Sequence, residues 1–194
     1  MTISDLGKPK NIFAIDSSTN SIAFSHFVDG ELIRWGKIRF TGQDVYQKAG
    51  DACKKVYAYS KQFPVEFVVI ESAIYANSPK TAMHLALVQG SIMGALYMNN
   101  AKKIVSTSPV QWQNWIGNKR LTEAEKQQIK EKAPGKSNSW YKGQERLFRK
   151  QRTMRIINTR FDIHLDDDDV ADAVAIGWFS RENWSKLITE PKNS

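Results

Sequence analysis

The chain has 194 residues and a mass of 22.1 kDa, with a hydrophobic fraction of 41%, aromatics at 11% and six Trp. A chain this long buries roughly 70% of its unfolded surface, and its globular composition excludes a wholly disordered protein. The single cysteine, Cys53, excludes an intrachain disulfide and a cysteine-based zinc site, and Lys and Arg outnumber Asp and Glu by 28 to 20, a net charge of +8.

A basic balance points to a polyanionic partner only if the charge is localised. It is. Residues 118–160 hold thirteen Lys or Arg against four Glu, a net +9, which leaves the remainder of the chain near neutral at −1. Residues 161–172 then hold six Asp and no Lys or Arg. The opening residues carry no apolar run of the secretory kind. The longest uncharged stretch, 85–101, contains Gln89, Ser91, Asn99 and Asn100, and reads as a buried helix rather than a membrane span. A soluble, cytoplasmic protein is expected. The three His, at 26, 84 and 164, have no metal-ligand spacing.

In chain order, Asn11–Ile15 is a short apolar run ending at Asp16. Ser21–Val28 and Glu31–Phe40 are rich in β-branched and aromatic residues and flank Asp29-Gly30, a strong signal for a type I′ hairpin. Three strands therefore open the chain. Residues 43–62 read as a helix, with Val45, Ala49, Ala52, Val56 and Tyr59 on one face. Val65–Ile70 is a nearly unbroken apolar run, as suits a strand buried on both faces, and it ends at Glu71. Residues 79–98 form a second helix, apolar nearly all round, in which Gly90 and Gly94 permit close approach of another helix. Ile104–Ser106 is a short strand. Ser108-Pro109 with Gln111 is a capping pattern that starts a helix running to about Gly117.

Residues 118–144 read as a basic insertion. Thr122 and Glu125 cap a short charged helix, Ala133-Pro134-Gly135 breaks it, and Lys136–Gly143 reads as a polar, mobile segment. Helices follow at 144–160 and from about Asp168 to Trp184. The expected architecture is α/β, one domain spanning residues 1–194, with a mixed five-stranded sheet flanked by helices.

Four acids occupy informative positions. Asp16 and Glu71 end strands, where the functional groups of α/β sheets collect. Asp169 and Asp172 lie three apart on a helix and share a face. Four carboxylates brought together repel one another unless cations sit between them. Oxygen ligands of this kind select Mg²⁺ or Mn²⁺, and two such ions support phosphodiester hydrolysis. Taken singly, the bland alternative is strong: Asp at a helix start ordinarily caps it, and an acid after a strand is ordinarily a turn residue. Trp112 and Trp115 read as packing residues of an amphipathic helix. Trp140, set among polar and basic residues, is the better candidate for stacking on a base.

The combination resembles the RuvC-like crossover junction endodeoxyribonucleases of the RNase H-like superfamily. FAIDSSTNSIAFSHF is similar to that family's first-strand motif, VVIESAIYANSPKTAMHLALVQGSIMGAL to its second, and DVADAVAIGWF to its last. The resemblance spans most of the chain outside 118–144. It implies an RNase H-like sheet of three antiparallel strands followed by two parallel ones. It also implies metal-binding catalytic carboxylates at Asp16, Glu71, Asp169 and Asp172, with Asp168 the competing choice for the third. It further implies Mg²⁺ or Mn²⁺ as cofactor and a homodimer performing paired nicking of four-way (Holliday) DNA junctions; the apolar 79–98 helix, with Gly90 and Gly94, is the expected dimer surface. The family often places an aromatic three residues after the Glu; here Ile74 stands there and Tyr75 follows. Expected DNA contacts are Tyr75, Lys142, Arg146, Arg149, Lys150, Arg152 and Arg155. The basic insertion suits an elaborated, phage-borne relative. Two other functions fit the same residues: an RNase H-fold nuclease acting on other branched DNA or on RNA, and a non-catalytic nucleic-acid binder.

Overall fold

The structure is a computed structural model, and it describes residues 9–72 and 78–189. Three strands open it: β1 (Asn11–Ser17), β2 (Ser21–Val28) and β3 (Glu31–Arg39). Helix α1 (Val45–Gln62) leads to β4 (Phe67–Glu71), α2 (Pro79–Met98) and β5 (Lys103–Thr107). The helices α3 (Pro109–Trp115), α4 (Glu123–Lys132), α5 (Asn138–Phe161) and α6 (Asp168–Thr189) complete the fold. The sheet order is β3-β2-β1-β4-β5, antiparallel from β3 to β1 and parallel from β1 to β5. The expected mixed sheet is therefore present. Both central residues of the β2–β3 turn have positive φ, 49° at Asp29 and 93° at Gly30, as the Asp-Gly pair requires.

Strand alternation divides the core in two. Ile12 and Ala14 of β1 and Phe67 and Val69 of β4 face α3, α5 and α6. Phe13 and Ile15, with Val68 and Ile70, face α1 and α2. The α1 stripe read from the sequence, Ala49, Ala52 and Val56, is buried on that second face. Among the described residues no helix is long and apolar enough to cross a membrane; α2 instead buries Val88, Ile92, Ala95 and Leu96 against the sheet. Its other side leaves Met83, Leu87, Tyr97 and Met98 exposed.

One boundary differs from expectation. Residues 138–143, read as part of a polar, mobile segment, are the first turns of α5. The Ser137 hydroxyl accepts from the Trp140 N–H and caps the helix. The Tyr141 hydroxyl donates to Ala133 O at 2.7 Å and ties this start to the end of α4. Gly143 weakens a helix interior, but not enough to undo a capped, tethered start.

Helix α6 approaches the sheet closely where Ala173 and Gly177, four apart on one face, meet β2. Ala171, Ala173, Ala175 and Gly177 are alanine or glycine, the three alanines are fully buried, and the Ala173 carbonyl accepts from the Ser25 hydroxyl at 2.8 Å. A Cβ at Gly177 would sit 2.5 Å from both a Phe27 ring carbon and the Ser25 oxygen. Gly177→Ala should therefore lower unfolding free energy by about 1–3 kcal/mol, although alanine is the better helix former. Chemical denaturation measures this; a neutral or stabilised variant would show that α6 does not pack at that distance.

Candidate active site

The alternation that sorts the core also aims two acids. Asp16 continues the Ile12, Ala14 series of β1, and Glu71 continues the Phe67, Val69 series of β4, so both point to the α6 side. The parallel register pairs Ile15 with Ile70, which brings the two strand ends into step. Helix α6 starts above them. The Asp167 carboxylate caps it, accepting from the N–H of Asp169 at 3.0 Å and of Val170 at 3.2 Å. The close approach of α6 then lowers Asp169 and Asp172 toward the strand ends. All four acids, Asp16, Glu71, Asp169 and Asp172, line one open cleft of about 1410 Å³.

Crowding and burial distort their ionisation. Burial, followed by the charges of Glu71 and Asp169, pushes the Asp16 carboxyl up to about 7. Asp172 is pushed well above the usual carboxylate range by burial and by Asp16 and Glu71. Glu71 is raised by burial, an effect opposed by the indole N–H of Trp112. Asp169 behaves differently. Burial disfavours its charge, yet hydrogen bonds from Lys37 and Lys150 hold it below the usual range. The Lys37 ammonium lies 2.8 Å from Asp169 Oδ2 and 2.7 Å from Asp167 Oδ2. The Lys150 ammonium lies 3.0 Å from Asp169 Oδ1 and also pairs with Asp168. The carboxylates of Asp167, Asp168 and Asp169 offer oxygens within 4.8 Å of one another, and these two lysines offset part of that charge. Asp169, not Asp168, lines the cleft with the other three acids.

The cleft is also lined with basic residues. Lys142, Arg146, Arg149 and Lys150 line it from α5, spaced to share one face of that helix. Lys119, Arg120 and Lys126 join them from the α3–α4 connection and α4. The Arg149 guanidinium also hydrogen-bonds Gln113. Two residues expected to touch DNA stand outside the cleft lining. Arg152 turns to α4, where it lies 2.5 Å from Glu125 and 3.3 Å from Lys119 O. Arg155 is exposed. Tyr75 lies outside the described residues. Trp140 is half-buried beside Ile129, Leu147 and Phe148 between α4 and α5, on a different face from the cleft-lining residues of α5.

Sequence reasoning missed two members of the site. Lys37 reaches it because β3 pairs Lys37 with Ala23 and β2 pairs Ala23 with Asp16, placing all three in one cross-strand row. Trp112 was read as packing. It is fully buried, but its indole N–H also donates to Glu71 Oε1 at 2.7 Å. The spacing from Ser108, whose capping box starts α3, was the one available signal.

No family model matches the chain, and no curated protein matches it. Solved structures do. The fold is similar to Thermus thermophilus RuvC in complex with a Holliday junction substrate, at 11% identity and a TM-score of 0.66, covering 92% of this chain and 96% of that one. It is similar to the yeast mitochondrial Holliday junction resolvase Ydc2, at 15% identity and a TM-score of 0.53, covering 95% and 84%. It is also similar to the fowlpox virus resolvase in complex with Holliday junction DNA, at 15% identity and a TM-score of 0.50, covering 93% and 99%. The chain thus has the RNase H-like fold of RuvC and related resolvases.

The raised Asp16 carboxyl has a consequence for stability. Its folded value near 7 exceeds the ordinary 3.8, so the folded state retains a proton that the unfolded chain has lost. Stability in the absence of divalent cations should then fall as pH rises from about 4 to about 7. Asp16→Asn should flatten that decline and raise the unfolding midpoint at pH 8 by about 2–6 °C. Thermal unfolding with chelator across this range tests it; an unchanged pH slope would mean that Asp16 is not strained.

Proposed function

We propose that this protein is a divalent-cation-dependent, structure-selective endonuclease that resolves four-way DNA junctions by paired nicking, as needed for recombination and repair intermediates. One observation carries the reading. Four acids from β1, β4 and α6 and a basic wall from α5 share one cleft, on a fold also found in proteins solved with Holliday junction DNA.

The donor set fits hard divalent cations. It is all carboxylate oxygen, which suits Mg²⁺, with Mn²⁺ able to replace it. The raised Asp16 and Asp172 carboxyls mark acids buried away from water and, to a lesser degree, set beside like charges. Asp16, Glu71, Asp169 and Asp172 would hold two ions. Such ions, when bound, supply a lowered pKa for an attacking water and charge neutralisation at the departing 3′ oxygen.

The chain's own residues do the rest. Asp16 and Asp172, raised by burial and then by their acidic neighbours, would be held ionised by bound cations. Lys142, Arg146 and Arg149 bind phosphates on either side of the scissile bond and hold the backbone against the acids. Helix α2 offers a surface for a second copy: Met83, Leu87 and Met98 are exposed, and a Cβ at Gly90 or Gly94 would meet open space. Two clefts joined there would nick two strands of one junction.

Labelled four-way junction, flap, linear duplex and RNA/DNA hybrid, each incubated with Mg²⁺, test the reading. Junction cutting should dominate. Asp16→Asn should keep junction binding and lose cleavage by on the order of 10²-fold or more. Replacing Lys142 and Arg146 with Ala should weaken binding and flatten the log–log salt dependence by roughly 1–2 units. Preference for flap or hybrid would assign the site to a different nuclease class. No Mg²⁺-dependent cutting of any substrate would leave a non-catalytic binder.

A further inference from the structure

We propose that Trp112 is a positioning residue, presetting the Glu71 carboxylate for a divalent cation through a neutral hydrogen bond. This rests on the reading of Glu71 as a metal-holding acid. The indole sits in the core face under α6 and is fully buried. Its N–H lies 2.7 Å from Glu71 Oε1. A single N–H can hold one oxygen only, so the other carboxylate oxygen is left for a ligand.

The contrast with Asp169 shows why the donor's charge matters. Both Asp169 oxygens are engaged by ammonium groups, one from Lys37 and one from Lys150. An ammonium repels an incoming divalent cation and must be displaced or screened. An indole N–H carries no net charge, cannot ionise and has only two side-chain torsions. It orients the carboxylate without opposing the cation. Groups that orient metal ligands in this way commonly change metal affinity 10–100-fold when removed.

The local sequence fixes the indole's place. Thr107 pairs with Glu71 in the β4–β5 register, and the Ser72 N–H donates to Thr107 O at 2.8 Å. Thr107 in turn donates to Gln111 Oε1 at 3.3 Å, and Gln111 closes the capping box that begins α3 at Ser108. Trp112 is the next residue. The strand end that bears Glu71 and the helix start that bears Trp112 are thus locked together within a few residues. A buried indole N–H needs an acceptor, and here that acceptor is an acid of the cleft.

Mn²⁺ binding to the full chain without nucleic acid, followed by electron paramagnetic resonance, reads this role apart from activity. Trp112→Phe should keep the fold by circular dichroism and weaken Mn²⁺ binding about tenfold. In the Glu71→Gln background the same change should have little further effect. β-(3-Benzothienyl)alanine at position 112 keeps the bicyclic shape and lacks the N–H; it should reproduce the loss even if phenylalanine perturbs packing. Unchanged affinity with the benzothienyl residue, or an equal loss in the Glu71→Gln background, would overturn the positioning role while leaving the metal reading intact. Absence of saturable Mn²⁺ binding by the wild type would overturn both.

Discussion

The burial of neighbouring carboxylates is the constraint on which this structure turns. Strand alternation commits Asp16 and Glu71 to the α6 side of the sheet, and the small residues of α6 bring Asp169 and Asp172 down upon them. The fold therefore holds like charges together at a cost that neighbours only partly offset. Lys37 and Lys150 neutralise one end of the cluster, around Asp169. Asp16 and Asp172 are left crowded and hard to ionise. A site strained in this way is stabilised by whatever supplies positive charge, and pKa values displaced this far cluster at functional positions.

The charge distribution divides the labour. The net +8 is not spread over the surface. It is concentrated on α5 and on the connections before and after α4, and Lys119, Arg120, Lys142, Arg146, Arg149 and Lys150 line the cleft with the acids. In the proposed reaction the basic side chains would hold phosphates beside the acids of the same cleft. The proposed nuclease chemistry needs both, because a polyanion would otherwise be repelled by the four carboxylates. Arg152 has a different part, since its pairing with Glu125 fastens α4 to α5 and so shapes the wall without lining it.

Much of this was legible in the sequence, for local reasons. Asp29-Gly30 specified a turn with two positive φ values, and the apolar runs ending at Asp16 and Glu71 specified strands with acids at their ends. The spacing of Asp169 and Asp172 specified a shared helix face. What was not legible depended on register and on side-chain direction between distant segments. Lys37 sits in an ordinary alternating strand, and only the pairing of β3 with β2 and β2 with β1 sets it beside Asp169. Trp112 shows the same gap: its burial could be read from the helix pattern, its hydrogen bond to Glu71 could not. The early start of α5 rested on a Ser137 cap within a stretch whose polarity suggested a loop.

The central claim is that the four acids form a divalent-cation site. Anomalous diffraction from crystals grown with Mn²⁺ tests it most directly. Two peaks per chain are expected within the cleft, contacted by Asp16, Glu71, Asp169 and Asp172, with the Lys150 ammonium moved off Asp169. Absence of any peak there, or a single peak held by Asp167 and Asp168 alone, would contradict it.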